Sequence, residues 1–100
     1  MTYEQQFSAI KALSNSCPGP ALHMREPGNW YLYVPCVEIG GNGLLKGVGK
    51  SGITPEYAVE HTWDELTSVV APFFIVINAM QDDQRRQVRW NGFMWADVQS

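Results

Sequence analysis

The first apolar residues of the chain recur at helical spacing, and polar residues fill most of the positions between them. They are Tyr3, Phe7, Ile10 and Leu13. The pattern predicts a short amphipathic helix over residues 3–14. Ser14 begins a break that Cys17-Pro18-Gly19-Pro20 continues. We therefore expect residues 18–28 to form a loop, with a short extended piece at 21–24.

Aromatic and β-branched residues dominate WYLYVPCVEI, residues 30–39, and predict a β-strand. Pro35 has no backbone N–H for a strand ladder, so this strand should be an edge, or be bulged or broken there. Residues 44–48 form the predicted return strand, with Asn42-Gly43 as the reversal.

The most complete helix start lies at Thr54, which can cap the helix that Pro55 begins. Glu56 then favours the positive end of the helix dipole. The inward stripe of this second helix is predicted to comprise Val59, Thr62 or Trp63, Leu66 and Val70. The helix should reach about residue 69, before Pro72 stops it.

The continuous apolar run FFIVI, residues 73–77, predicts a central strand covered on both faces. The polar segment 81–86 follows, and its charged residues are expected to form a solvated turn. They are Asp82, Asp83, Arg85 and Arg86.

Asn91-Gly92 predicts a two-residue hairpin turn near the end of the chain. In that register Trp90 pairs with Phe93, Arg89 with Met94, and Val88 with Trp95. Alternation then places the apolar residues Val88, Trp90, Phe93 and Trp95 on one face. Arg89 and Met94 are expected on the opposite face.

The resulting order, α-β-β-α-β-β-β, predicts an α+β fold in which two helices pack on one face of an antiparallel β-sheet. One hundred residues suit a single domain, 1–100. The apolar share of 45% and the charged share of 17% are typical of a folded globular chain.

Charge and export signals narrow the functional classes. A net charge of −3 and a pI near 5.2 argue against a protein that coats nucleic acid. The longest apolar run is broken by Pro72, so we expect no membrane partner. The N-terminus lacks a secretion signal, and Cys17 and Cys36 are too few for a disulfide framework, which predicts a cytoplasmic protein.

The glycine-rich segment GGNGLLKGVGKSG, residues 40–52, has the composition of a phosphate-binding loop but not its spacing. Counting back from Gly49-Lys50-Ser51, Leu44 occupies the position that requires glycine, and Gly43 lies one residue too early. No helix start follows Ser51 directly. The segment is therefore interpreted as a hairpin whose glycines accept positive φ.

The soft metal ligands are Cys17, His23, Cys36 and His61, and their separations match no zinc spacing. We therefore expect no metal and no cofactor. A nucleophilic pair of Cys17 with either histidine remains an alternative, although no nucleophile, base and orienting group can be assembled from spacing alone. The sequence thus favours a protein that is not an enzyme.

Two charged surfaces are candidate binding sites. Glu56, Glu60 and Asp64 fall at i, i+4 and i+8 of the second helix, so one helix face carries three like charges. This face is either simply solvated or an acidic stripe that docks on a basic partner, such as a surface that normally holds nucleic acid. Arg85, Arg86 and Arg89 form the second candidate, beside tryptophans that could stack on bases. The register, however, places Trp90 and Trp95 on the face opposite Arg89, which favours core tryptophans flanked by a solvated arginine cluster.

The phrases GITPEYAVEHTWDEL and VRWNGFMWADV resemble a group of small uncharacterised proteins from tailed phages and prophages. The resemblance rests on the Thr54-Pro55-Glu56 helix start, on Trp63, and on the closing segment 89–95. It implies an accessory protein that binds and blocks a host protein, including a protein of a defence system. The helix start is also similar to that of HicB-type antitoxins, whose catalytic and DNA-binding parts the sequence lacks.

Two functional hypotheses follow. The first is a non-enzymatic interaction module that uses Glu56, Glu60 and Asp64 to bind a host protein. The second is a small nucleic-acid-binding regulator that uses Arg85, Arg86 and Arg89. Exposed aromatic edges would also allow a homodimer.

Overall fold

The computed structural model describes residues 1–13, 20–39, 46–67, 73–78 and 82–97. These residues form two helices and six strands, in the order α-β-β-β-α-β-β-β. The elements are α1 (Tyr3–Leu13), β1 (Ala21–Glu26), β2 (Asn29–Ile39), β3 (Lys46–Gly52), α2 (Pro55–Leu66), β4 (Phe73–Asn78), β5 (Asp82–Trp90) and β6 (Trp95–Asp97).

The helix α1 begins where the sequence places it, and a reciprocal cap fixes its start. The Gln5 backbone N–H donates to Thr2 Oγ1 at 3.2 Å, and the Thr2 N–H donates to Gln5 Oε1 at 2.9 Å. The two bonds satisfy backbone donors that a helix start leaves unpaired. Ile10 and Leu13 are buried, so the predicted apolar stripe faces the core.

The strand β1 is longer than the short extended piece expected at 21–24 and replaces much of the loop expected over 18–28. Ala21–Glu26 pairs antiparallel with β2 through a tight reversal in which Gly28 adopts a φ of 78°. Leu22 is half-buried beside exposed His23, and the other residues of β1 are exposed, so the strand carries little alternation of apolar and polar residues. Pairing with β2, rather than intrinsic propensity, makes the segment a strand.

The long strand β2 contacts three other strands. Its first half pairs with β1 and β3, and its last residues, Val37–Ile39, pair with β4. The register shifts between Val34 and Val37, which confirms the irregularity predicted at Pro35. Val34 and Val37 are both fully buried. Residues three positions apart on a regular strand point to opposite faces, so the irregularity between them turns both side chains towards the core.

The predicted return strand is present but ends later than expected. β3 spans Lys46–Gly52 and pairs antiparallel with β2. The expected reversal at Asn42-Gly43 lies outside the described residues.

The helix α2 confirms the predicted start and is shorter than predicted. Thr54 is the N-cap, its side chain accepts the Tyr57 N–H at 3.1 Å, and Pro55 occupies the first turn. The helix ends at Leu66 with Thr67 as its C-cap, rather than at residue 69. The expected contribution of Val70 lies outside the described residues.

The two helices pack on one face of the sheet, and the core lies between the layers. Its buried members come from both helices, β2 and β5: Ile10, Leu13, Leu32, Val34, Val37, Ala58, Val59, Thr62, Trp63, Leu66 and Val88. The architecture is therefore the predicted α+β class with an antiparallel sheet. The strand order is β1-β2-β4-β5-β6, and β3 also pairs with β2.

The closing strands correct two expectations. Asp82–Arg86 belongs to β5 and pairs with β4, so this polar segment is not a turn. The final reversal is a four-residue connection in which Trp90 pairs with Trp95 and Arg89 with Ala96, rather than the predicted two-residue turn. Phe93 consequently lies in the connection, with 90% of its surface exposed, and not on the apolar face.

Candidate functional site

The glycine-rich segment contributes a strand rather than a phosphate cradle in its described part. Gly49, Lys50 and Ser51 lie in β3, opposite Tyr33, Leu32 and Tyr31 of β2. The next helix begins only at Pro55. Lys50 Nζ lies 3.0 Å from Glu65 Oε2, so the lysine that would hold a phosphate pairs with a carboxylate instead. Residues 40–45 lie outside the described part of the chain.

The candidate soft ligands do not come together in the part of the chain that the structure describes. His23 lies on β1 and His61 on α2, and no three His, Cys, Asp or Glu residues among the described ones are placed to hold a metal ion. Cys17 lies outside the described residues. The Cys–His pair considered from sequence therefore stays untested.

The predicted acidic stripe lies on α2, away from the sheet. Glu60 and Asp64 are exposed, and Glu56 is half-buried in the first helical turn. The neighbouring Glu65 differs from them because it turns towards β3 and pairs with Lys50. The exposed stripe thus carries its negative charge into solvent.

An aromatic side chain that sequence reasoning missed lies within the same face. Tyr57, Glu60, His61 and Asp64 fall at i, i+3, i+4 and i+7, which places them side by side on a helix. The Tyr57 ring is 45% exposed, and its centroid lies 4.0 Å from that of His61. Ile53, just before the helix, is 75% exposed.

Gly52 leaves room for the Tyr57 ring. A Cβ atom at Gly52 would collide with Cδ1 of Tyr57, so the ring occupies space that only glycine leaves open. Ile53 and Tyr57 also border a shallow cavity of about 510 Å³ that reaches the β1–β2 reversal at Pro27 and Gly28. We call Ile53, Glu56, Tyr57, Glu60 and Asp64 the α2 outer face.

The predicted arginine cluster is distributed along β5. Arg85 and Arg86 take register positions opposite Val76 and Ile75 of β4. Arg89 is exposed and pairs with Ala96, while the adjacent pair Trp90–Trp95 lies on the other side of the hairpin. The predicted separation of Arg89 from the tryptophans is confirmed. Arg89 is also on the opposite side of the sheet from α2, because its neighbour Val88 is fully buried beneath the helices.

The tryptophans form one packed group. Trp63, Trp90 and Trp95 meet edge to face, with ring centroids 4.9 to 5.8 Å apart. Beside them, a groove of about 480 Å³ runs between α1 and the β5–β6 connection. Phe93 and Met94 border that groove and are 90% and 60% exposed. The rings of Trp90 and Trp95 are therefore half-buried members of the core edge.

Comparisons with known proteins add no relative. No family model matches the chain, and neither the curated proteins nor the solved structures searched contain a match. Among the described residues, no helix has both the length and the apolar character needed to cross a bilayer.

Proposed function

We propose that this chain is a non-enzymatic protein-interaction module whose α2 outer face binds a basic surface of a partner protein. The observation that carries the proposal is the placement of Tyr57. This half-exposed side chain packs against His61, occupies space that Gly52 leaves open, and shares its helix face with the exposed residues Glu60 and Asp64.

Protein interfaces combine an anchor that excludes water with a surrounding charged rim. Tyrosine is one of the residue types that most often dominate binding energy, since a large ring is buried at little cost in conformational freedom. The His61 ring packs against the Tyr57 ring, with centroids 4.0 Å apart, before any partner arrives. Such pre-organisation lowers the entropy lost on association.

The carboxylates of Glu56, Glu60 and Asp64 determine which partners fit. Like charges directly across an interface repel, whereas a lysine- or arginine-rich surface is attracted from a distance of about 8–10 Å at ordinary salt. The stripe therefore favours a basic protein surface, including one that normally holds nucleic acid. Its contribution lies mainly in the association rate and in the choice of partner.

The resemblance to small phage and prophage proteins supplies the biological setting of the proposal. It implies an accessory protein with a host protein as partner and the host cytoplasm as the place of action. A host defence protein is one member of that partner class.

Affinity capture from a lysate of the source host, with the captured protein identified and then purified for titration, tests the proposal. Tyr57→Ala should weaken binding by about five- to thirty-fold, because truncation of an interface anchor costs roughly 1–2 kcal/mol or more. Glu60→Lys should also weaken binding, and the loss of affinity should be larger at low salt than at high salt.

The matched control is Glu4→Lys, which makes the same charge change on the exposed surface of α1. It should bind the partner as the unchanged chain does. If Tyr57→Ala and Glu60→Lys both bind the partner as tightly as Glu4→Lys does, the α2 outer face is not the binding surface.

A further inference from the structure

The sheet has a second side on which aromatic and basic residues lie together. In β2, Leu32 and Val34 are fully buried beneath the helices, so the alternating residues Tyr31 and Tyr33 face away from the core. Tyr33 is 41% exposed. The register places His23 opposite Tyr31, and Arg25 follows on the same side of β1.

Tyr31 is the centre of a stacked group. The guanidinium carbon of Arg25 lies 3.9 Å from the centroid of the Tyr31 ring, and the His23 ring centroid lies 5.8 Å away. A Cβ at Gly49 on β3 would come within 2.6 Å of the same ring. Gly49 therefore leaves room for the Tyr31 ring above β3, and the guanidinium of Arg25 lies over that ring.

Two exposed arginines lie on the helix-free side of the sheet. They are Arg25 on β1 and, further along the sheet, Arg89 on β5. The exposed carboxylates Glu60 and Asp64 lie on α2, on the other side. Although the net charge of the chain is −3, the carboxylates of α2 therefore lie on the opposite side of the sheet from these arginines. Glu26, at the end of β1, accepts a hydrogen bond from Asn29 at the β1–β2 reversal.

We propose that this helix-free face binds single-stranded nucleic acid, with Tyr33 and the Arg25–Tyr31 stack as platforms for two bases. Unpaired bases stack on aromatic rings and on guanidinium planes, whereas paired bases in a duplex do not expose their faces. Arg25 also supplies a positive charge for the phosphate backbone, and Arg89 lies along the same side of the sheet. This surface is separate from the α2 outer face, and the inference does not depend on the proposed function.

The experiment is a titration of fluorescently labelled oligothymidylate and oligouridylate of about ten nucleotides, followed by anisotropy at about 50 mM and about 200 mM salt. A duplex of the same length is titrated in parallel. We expect both single strands to bind, with a duplex affinity at least about ten-fold weaker. A difference between the two single strands would reveal the preferred sugar.

Variants assign the binding to this face. Tyr33→Ala should weaken single-strand binding by about five-fold to a hundred-fold, and Tyr33→Phe should retain it, since the ring rather than the hydroxyl stacks. Arg25→Gln should lower the slope of log affinity against log salt by about 0.7, the loss of one phosphate contact. Tyr57→Ala, which removes an exposed tyrosine from the opposite side, should bind as the unchanged chain does.

Several outcomes would overturn the inference, provided that circular dichroism shows each variant folded. They are no anisotropy change at low salt, equal affinity for the duplex, or unchanged binding by Tyr33→Ala. Displacement of the oligonucleotide by polyglutamate as readily as by unlabelled oligonucleotide would also contradict it, because the face would then be a site for anionic polypeptide.

Discussion

The indole Nε1 of Trp95 donates a hydrogen bond of 2.9 Å to the backbone oxygen of Ala9. This bond ties the closing strand β6 to α1, across 86 positions of the sequence. The same ring lies 5.8 Å from Trp63 of α2 and 5.2 Å from Trp90 of β5, edge to face in both cases. Trp95 therefore joins both helices to the end of the sheet.

Trp95→Phe should lower the free energy of unfolding more than Trp90→Phe does. Both changes shorten an indole to a phenyl ring, but only the first removes a described hydrogen bond. We expect the difference to be about 1 kcal/mol, the net value of one such bond. Urea unfolding followed by circular dichroism measures it, and equal losses would show that the Trp95–Ala9 bond contributes nothing to stability.

Phe93→Ala should change stability by less than about 0.5 kcal/mol, because the side chain is 90% exposed. The two-residue turn expected from sequence would instead put Phe93 on the apolar face, where truncation would cost about 3–5 kcal/mol. Thermal unfolding of Phe93→Ala beside Trp90→Ala separates the two registers. A loss as large as that of Trp90→Ala would favour the two-residue turn.

The final hairpin shows why the sequence predicted the face but not the register. Asn91 Oδ1 accepts the N–H groups of both Phe93 and Met94 at 2.9 Å, and Asn91 N–H donates to the Met94 oxygen. These bonds hold a four-residue connection that the Asn91-Gly92 pair alone does not specify. Trp90 pairs with Trp95 instead of Phe93, a shift of two residues. A shift of two leaves the same side chains of the strand on the same face, so Trp90 and Trp95 stay together as predicted.

Pairing partners explain the remaining differences. The irregularity at Pro35 was predictable, since a missing N–H acts locally. Only an extended piece at 21–24 was expected from sequence for β1, because its full extent as a paired strand depends on β2 and not on its own composition. Likewise, helical spacing located Glu56, Glu60 and Asp64, but it does not report that the Tyr57 ring occupies the space that Gly52 leaves open.

The alternation of tyrosine with aliphatic residues in β2 was a signal available in the sequence. Tyr31 and Tyr33 alternate with Leu32 and Val34, so a two-residue period already separates an aromatic side from an aliphatic side. Which side lacks a helix depends on how α2 returns to the sheet. The aromatic side could therefore be recognised as a surface only once the layers were known.

Thr54→Ala should destabilise the chain by about 1 kcal/mol, because the Thr54 hydroxyl accepts the Tyr57 N–H at the start of α2. Thr54→Ser keeps an oxygen in the same place and is the control. Unfolding midpoints in urea compare the three chains. A serine variant as unstable as the alanine variant would mean that the cap is not the source of the loss.

Gly49→Ala should destabilise by about 1–3 kcal/mol, since a Cβ there would collide with the Leu32 oxygen and come within 2.6 Å of the Tyr31 ring. Ser51→Ala, two positions along β3 and exposed, should be nearly neutral. Thermal unfolding of both variants provides the comparison. A neutral Gly49→Ala would show that Tyr31 does not rest on this glycine.

Site-specific photo-crosslinking from Ile53 tests the central claim about the α2 outer face most directly. A benzophenone amino acid at this exposed position, with a second chain labelled at Phe93 as control, is irradiated in cells of the source host. We expect position 53 to give one discrete adduct, at a lysine- or arginine-rich segment of the partner, that disappears when Tyr57→Ala is added. An adduct from position 93 alone, or one from position 53 that survives Tyr57→Ala, would contradict the account.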